Sequence, residues 1–190
     1  MYKTVLRNRA ASTNIIEVGA FKGSSTCYLS QAASRVGKRV KSFELFSGLP
    51  IADPTLDGGC YVGRYSSDVA EYEANVRAYG RRDLVDLVIG DARQTLVSSL
   101  DSEGFSVAFL DADVYEVMRE LLFQLWSIAK GGEIIICHDV NSKGVRKAVN
   151  EFHALSGNNV SESVILNGTT SMLYLPSLVM RISGKSATPI

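Results

Sequence analysis

Six residues able to bind ligands or move protons stand at the ends of short apolar segments of this 190-residue sequence. Carboxylates accept hydrogen bonds from hydroxyl, amino and ammonium groups, and together with an imidazole they ligate divalent cations. The same groups can act as general bases. The pattern therefore predicts one site that combines ligand binding with proton transfer. The six residues are Glu17, Glu44, Asp91, Asp111, His138 and Asp139.

The first of these residues begins a glycine-containing turn over residues 17–23. Its spacing is GxxxG, whereas a dinucleotide fold carries GxGxxG, so no pyrophosphate cradle is predicted. An acidic residue in the strand just before the glycines suits an adenosine ligand whose other end carries an amino-acid ammonium group. The same spacing also occurs in tight turns that bind nothing. The residues that we expect to contact such a ligand here are Glu17, Gly19, Ala20, Gly23 and Ser24.

Two further acidic positions extend the adenosine hypothesis. Glu44 ends the second apolar segment, where a carboxylate commonly accepts both hydroxyls of a ribose. Asp91 is placed to accept a hydrogen bond from an adenine amino group, and the adjacent backbone N–H of Ala92 can meet a ring nitrogen. The alternative for Glu44 is a solvated strand end.

Asp111, His138 and Asp139 follow two strands that are neighbours in the predicted sheet. Together they offer two oxygen ligands and one nitrogen ligand to a divalent cation, with Asp113 as a reserve ligand. Such an ion would lower the pKa of a substrate hydroxyl while a carboxylate such as Asp111 accepts the proton. Catalysis is therefore assigned to Asp111 and His138. The alternative is that the carboxylates cap loops and the histidine is their hydrogen-bonded partner.

Alternating strands and helices must position these residues. Near-continuous apolar strands indicate a mainly parallel sheet that is covered on both faces, and such sheets bind ligands beyond the carboxyl ends of their strands. The predicted fold is α/β, a Rossmann-like, doubly wound, mainly parallel seven-stranded sheet with an antiparallel C-terminal hairpin. We expect a short extension (1–13), one domain (14–182) and a flexible tail (183–190). The predicted strands are 15–18, 39–44, 85–89, 105–110, 133–137, 160–166 and 171–175, and the predicted helices include 24–36, one that ends at Gly80, and two around 117–128 and 145–155.

Composition excludes several classes of protein. The net charge is zero and 46% of residues are hydrophobic, which disfavours nucleic-acid binding and intrinsic disorder. No apolar run approaches the ~20 residues of a membrane span and no signal segment is evident, so we expect a cytoplasmic protein that binds neither nucleic acid nor membrane. Three scattered cysteines support neither a disulfide framework nor a zinc site.

The motifs together resemble class I S-adenosylmethionine-dependent methyltransferases. More narrowly, the chain resembles the macrocin O-methyltransferase family of sugar O-methyltransferases. This resemblance implies that Glu17, Gly19, Glu44 and Asp91 hold the cofactor, and that Asp111 with residues 138 and 139 binds magnesium. The runs that carry it are 17–23, 45–50, 57–59, 61–65, 75–80, 90–92, 110–116, 131–132 and 146–149.

The chain departs from this family at two places. The family usually has two successive aspartates where this chain has His138 and Asp139; imidazole is a poorer magnesium ligand, which favours weaker affinity or a preference for manganese or zinc. Family members also carry substrate-covering helices before the first strand, where this chain has 13 residues. Either the acceptor pocket is more open, or a partner subunit in a homodimer covers it, or the chain is shortened.

The function expected from the sequence is methyl transfer from S-adenosylmethionine to a hydroxyl of a sugar or small polyhydroxylated natural product. Three alternatives stay open at this point. They are a catechol-type O-methyltransferase, a non-catalytic module that binds the adenosyl cofactor, and a nicotinamide-dependent dehydrogenase on a similar sheet. The last lacks the GxGxxG turn.

Overall fold

A computed structural model describes residues 1–8, 14–100, 104–165 and 177–183 of the protein. Helices and strands alternate through these residues. The strands are β1 Asn14–Val18, β2 Arg39–Glu44, β3 Val85–Ile89, β4 Val107–Leu110, β5 Ile134–Cys137, β6 Val160–Ile165 and β7 Ser177–Ile182. The helices are α1 Tyr2–Arg7, α2 Ser24–Val36, α3 Val69–Tyr79, α4 Ala92–Ser99, α5 Tyr115–Ile128 and α6 Lys143–Ser156.

The seven strands form one sheet in the order β3-β2-β1-β4-β5-β7-β6. The first five strands run parallel, whereas β7 pairs antiparallel with both β5 and β6. This arrangement confirms the predicted α/β fold with an antiparallel pair at one edge. The strand order reverses at β1, because the chain first adds β2 and β3 on one side and then β4 and β5 on the other.

Hydrophobic residues cover both faces of the sheet. Every residue of β1, β4 and β5 is buried, as expected for central parallel strands. One core cluster joins a face of the sheet to α4, α5 and α6, and the other joins the opposite face to α1, α2 and α3. The resulting three layers leave the carboxyl ends of the strands as an edge where a ligand can bind.

The strand predicted at 160–166 is present as Val160–Ile165, whereas the last strand of the sheet lies later in the chain than predicted. The predicted strand 171–175, the turn at 167–168 and the tail from residue 184 lie outside the described residues. The strand that completes the sheet is Ser177–Ile182, which the sequence analysis left unassigned. Its Leu178, Met180 and Ile182 are buried in one core cluster and Val179 in the other, so the short apolar run was the available signal.

Two short helices were also left unassigned. Helix α4 buries only Ala92 and Leu96, and α1 buries only Val5, which gives each a weak amphipathic signal. After α1, the Asn8 side chain donates a hydrogen bond to the carbonyl oxygen of Ser106. None of the described helices has the length and apolarity needed to cross a membrane.

Candidate active site

A cavity of about 330 Å³ opens at the carboxyl ends of the parallel strands. This volume lies in the range of small-molecule sites, about 300–1,000 Å³. Seven of the predicted site residues line it, and they come from five different strand ends. These are Gly19, Glu44, Asp91, Ala92, Asp111, His138 and Asp139.

Backbone hydrogen bonds beyond the strand ends bring the segments of this wall together. The amide of Asp111 donates to the carbonyl of Val18 at 2.9 Å, and the amide of His138 donates to that of Leu110 at 2.8 Å. Gly19 lies so close to β4 that an added Cβ would be 2.0 Å from the Asp111 carbonyl oxygen, and its φ is +84°. Only glycine fits both the close approach and this left-handed conformation.

The Glu44 carboxylate organises two turns of the cavity wall. Its Oε2 accepts a hydrogen bond from the amide of Phe21 at 2.6 Å, and its Oε1 accepts from the amides of Leu45 and Phe46 at 2.8 and 3.0 Å. A carboxylate oxygen has two acceptor positions, so Oε2 keeps capacity for a ligand hydroxyl. Glu44 thus connects the turn after β1 to the end of β2.

Asp91 is held by the residue two positions after it. Its side chain caps α4 by accepting from the Arg93 amide at 3.0 Å, and its Oδ2 is 2.6 Å from Arg93 Nη2. The Arg93 guanidinium holds the pKa of Asp91 below its ordinary value. The aspartate is therefore fixed as an anion at the cavity wall.

Glu17 is fully buried and is not among the residues that line the cavity. Its Oε2 accepts hydrogen bonds from the hydroxyls of Thr26 and Ser42 at 2.5 and 2.7 Å. Burial raises the pKa of this carboxyl despite the hydroxyls of Ser25, Thr26 and Ser42, which act in the opposite direction. The structure therefore gives Glu17 a role between β1, α2 and β2, and its role toward a ligand stays a prediction.

Three other predicted contacts also lie outside the cavity lining. Ala20 is buried in the core cluster that joins α2 and α3 to the sheet. Gly23 precedes α2 with φ +86°, and Ser24 is the exposed first residue of that helix. Their assignment as cofactor contacts stays a prediction, and the lining of this cavity does not support it.

Asp111, His138 and Asp139 converge at the cavity as predicted. Their ligand atoms all lie within 4.8 Å of one another. Nδ1 of His138 is 3.1 Å from Asp111 Oδ1 and 2.7 Å from Asp139 Oδ1. The Asp111 carboxylate, followed by that of Asp139, raises the pKa of His138 to about 10, so without a metal its ring is a cation at neutral pH.

Asp113 is the third acidic group of this cluster and also lines the cavity. Burial, and to a smaller extent the nearby Asp111 carboxylate, raises the pKa of Asp113 to about 8. Burial acts in the same direction on Asp139, but the adjacent His138 outweighs it and holds the pKa of Asp139 below its ordinary value. The cluster thus holds carboxyl groups in two protonation states at neutral pH.

A loop over residues 45–68 forms the outer wall of the cavity. Leu45, Gly48, Leu49, Pro50 and Tyr65 come from it, and Tyr65 contacts Phe21 edge to face with ring centroids 6.4 Å apart. In the sequence, runs of this loop contributed only to the family resemblance, and no residue in it was assigned to the site. The aromatic residues Phe21 and Tyr65, which both line the cavity, were the missed signal.

Backbone strain is concentrated at this cavity. Among the described residues other than glycine, five have a positive φ, and all but Phe46 line the cavity. Such conformations cost on the order of 1 kcal/mol each and persist where surrounding contacts enforce them. The other four residues are Phe21, Tyr65, Asp113 and Asp139.

The chain is similar to known proteins in sequence and in fold. Residues 16–140, more than half of the chain, match a family model described as a methyltransferase domain. No curated protein matches the chain at a significant level.

Similar folds occur among solved structures. The calicheamicin methyltransferase CalS11 has a TM-score of 0.70 and 19% identity over 95% of this chain and 75% of its own. The O-methyltransferase NovP has a TM-score of 0.71 and 18% identity over 96% and 76%. An O-methyltransferase from Bacillus cereus in complex with SAH has a TM-score of 0.64 and 19% identity over 95% and 78%. At these identities the likeness shows the shared fold.

Proposed function

Because the chain belongs to the methyltransferase domain family, we propose that it transfers the methyl group of S-adenosylmethionine to a hydroxyl oxygen of a small polyhydroxylated acceptor, such as a sugar. The observation that carries the proposal is the joint lining of one cavity by strand-end residues suited to an adenosyl ligand and by an acidic cluster suited to a hydroxyl. CalS11, which shares this fold, is described as a TDP-rhamnose 3'-O-methyltransferase.

Glu44 and Asp91 are the cofactor-binding carboxylates in this proposal. The remaining acceptor capacity of Glu44 Oε2 suits a ribose hydroxyl. Asp91 and the adjacent amide of Ala92 suit the adenine edge, because both line the cavity where β3 leads into α4. Gly19 lets the backbone pass close to the ligand between these groups and Asp111.

The transfer itself is an in-line displacement in which positioning supplies much of the catalysis. The acceptor oxygen forms a bond to the methyl carbon while the bond from that carbon to sulfur breaks, which leaves neutral S-adenosylhomocysteine. The hydroxyl proton passes to the Asp111 carboxylate, our assigned general base. His138, protonated beside it, stabilises negative charge that develops on the acceptor oxygen.

The same three side chains also fit a divalent cation. Adjacent ligands of an octahedral ion lie about 3 Å apart, and the two distances from His138 Nδ1 to the carboxylate oxygens are 3.1 and 2.7 Å. Asp111, His138 and Asp139 would hold the ion, with His138 then neutral. When bound, it would lower the pKa of the acceptor hydroxyl. The nitrogen ligand favours manganese or zinc over magnesium.

The test begins with calorimetric titration of the protein with S-adenosylhomocysteine, in chelator and then with Mn²⁺. We expect micromolar binding in both conditions. Methyl transfer is then measured with labelled S-adenosylmethionine against a panel of sugars, nucleotide sugars and catechols. Methyl transfer to catechols but not to sugars would show that the acceptor is a catechol and not the proposed sugar.

Asp111→Asn provides the residue-level test. We expect at least a 100-fold loss of turnover with S-adenosylhomocysteine affinity within threefold of wild type, because the amide cannot accept the proton. Unchanged turnover would remove Asp111 from the mechanism. Cofactor binding without transfer to any acceptor would instead favour a non-catalytic module.

A further inference from the structure

We propose that Asp57 is a positioning residue for methyl transfer: from the tip of the loop after β2 it caps helix α5 and thereby fixes that loop as a wall of the active-site cavity. The proposal deepens the proposed function and rests on it only for its kinetic consequence. Asp57 does not line the cavity, and it belongs neither to the predicted cofactor site nor to the acidic cluster.

The first step of the argument is that α5 has no cap of its own. Its N-cap residue is Val114, whose side chain cannot accept a hydrogen bond. The backbone N–H groups of the first turn, which have no partner within the helix, therefore need one from elsewhere. Asp57, 58 positions earlier, accepts from the amide of Tyr115, the first residue of α5, through Oδ1 at 2.8 Å. Its Oδ2 accepts from the Asp53 amide at 2.7 Å, which closes the loop tip on itself.

The second step is that the fold keeps a fitted space for this carboxylate. Asp57 is only 6% exposed although it lies in a long loop. At Gly144, in the first turn of α6, an added Cβ would lie 2.1 Å from Asp57 Oδ1. Glycine at this position is therefore required by the carboxylate. Next to it, Lys143 Nζ donates to the Thr55 carbonyl at 3.1 Å, which attaches the loop tip to α6 a second time.

The third step concerns what the attachment controls. The base of the loop is closed by backbone bonds from Leu49 to Arg64 and from Gly63 to Leu49, both 2.9 Å. The segments on each side of this base supply Gly48, Pro50 and Tyr65 to the cavity wall. With its base closed and its tip held on α5 and α6, the loop is a fixed wall.

Asp57 also acts on the other side of the cavity through Tyr115. That residue follows the turn that carries Asp111 and Asp113, and Asp113 has a φ of +58°. A strained turn of this kind persists only where contacts at its ends enforce it. The Asp57–Tyr115 bond thus ties the loop tip to the turn that carries the acidic cluster, while Glu44 is held at the start of the loop by the amides of Phe21, Leu45 and Phe46, and Asp91 by Arg93.

The experiment compares Asp57→Ala, Asp57→Asn, Gly144→Ala and the double variant Asp57→Ala/Gly144→Ala with wild type. Asp68→Ala is the matched control, because Asp68 caps its own helix α3 at the exit of the same loop through the amides of Ala70 and Glu71. The readouts are hydrogen exchange of the Tyr115 amide, trypsin cleavage after Arg64, affinity for S-adenosylhomocysteine, and kcat and KM for the best acceptor of the panel.

For Asp57→Ala we expect at least tenfold faster exchange at Tyr115 and tenfold faster cleavage after Arg64. S-adenosylhomocysteine affinity stays within threefold and the acceptor KM rises at least tenfold. Asp57→Asn keeps an oxygen that accepts from the Tyr115 amide, but its side-chain amino group then faces the backbone N–H of Asp53, and two donors cannot bond. Its acceptor KM should therefore lie between those of wild type and Asp57→Ala. Asp68→Ala leaves Tyr115 exchange and acceptor KM within twofold.

Gly144→Ala tests the fitted space directly. In the wild-type background it displaces the carboxylate and reproduces the effects of Asp57→Ala. In the Asp57→Ala background the 2.1 Å clash is gone and the added methyl group keeps only contacts of 3.2 Å with Cβ and N of Tyr115, so the double variant loses much less than the sum of the single variants. Additive losses would overturn the cap geometry.

Other outcomes would overturn the positioning role. Unchanged cleavage and exchange in Asp57→Ala would show that the loop is held by other contacts. Faster hydrogen exchange across the whole sheet would show that Asp57 only supports the general stability of the fold. So would a loss of S-adenosylhomocysteine affinity as large as the rise in acceptor KM. If wild type methylates no acceptor, the proposed function fails, and exchange with cleavage still decides whether Asp57 holds the loop.

Discussion

Replacing Glu17 by glutamine should make this fold more stable at neutral pH. Glu17 is fully buried, and burial raises the pKa of its carboxyl above the ordinary value of 4.5. The folded state therefore binds a proton that the unfolded chain releases above pH 4.5. Stability contributed by this proton is complete below pH 4.5 and is lost as pH rises toward the folded pKa, by at most about 1.36 kcal/mol per pH unit.

The loss at pH 7 grows with the distance by which burial raises the folded pKa above 4.5. Glutamine removes the charge and keeps an oxygen to accept from the hydroxyls of Thr26 and Ser42. Its amino group can donate to the Ser25 hydroxyl, which also contacts this carboxyl. We expect the free energy of unfolding of Glu17→Gln to be higher than that of wild type by about 1–3 kcal/mol at pH 7, which corresponds to a melting temperature higher by about 2–10 °C.

The assay is thermal unfolding at pH 5 and pH 7.5, with Glu133→Gln as the matched control. Glu133 is also buried, but its two oxygens accept from the backbone amides of Lys130 and Gly131, both at 2.7 Å. In Glu133→Gln the side-chain amino group would face a backbone N–H, and neither group could accept from the other. The free energy of unfolding of this control should therefore fall by about 1–3 kcal/mol. A Glu17→Gln protein that melts at or below wild type at pH 7.5, with the same pH dependence, would refute the reasoning.

Three further predictions follow from the same structure. Gly19→Ala should give little folded protein and no heat with S-adenosylhomocysteine, because its Cβ would lie 2.0 Å from the Asp111 carbonyl oxygen; normal melting and binding would contradict this. Burial raises the pKa of Tyr72 to about 12, so its contribution to stability is lost as pH rises from 10 to 12; denaturant titrations should show no such loss for Tyr72→Phe relative to wild type. Asp91→Ala removes the α4 cap and should lower the melting temperature by about 2–4 °C and weaken S-adenosylhomocysteine binding at least fivefold; a change in melting alone would leave Asp91 with only a structural role.

The parallel sheet and the acidic cluster could be predicted because each depends on strong, local signals. β1, β4 and β5 are apolar on both faces, so their continuous runs identify central strands. Once those strands are parallel, their carboxyl ends share one edge, which brings Asp111, His138 and Asp139 together without knowledge of loop structure.

The rest could not be predicted because it depends on tertiary packing. The bond from Asp57 to Tyr115 joins residues 58 positions apart, and neither residue type is unusual in a loop or a first helical turn. The hydrogen bonds that Glu17 accepts inside the fold could not be predicted either, because they depend on how the strands and α2 place polar partners such as Thr26 and Ser42. The sequence showed these hydroxyls without showing that they meet.

The strand order also determines when during folding this site can exist. β1 pairs with β2 in the register Ile15 with Val40, but its other neighbour is β4, where Ile15 pairs with Val107. The cavity is therefore incomplete until the chain through β5 has folded, since its lining extends from Val18 to Asp139. The complete site, in which the residues at the ends of β1 to β3 lie beside the acidic cluster at the ends of β4 and β5, therefore forms only in the late, long-range steps that unaided folding finds slowest.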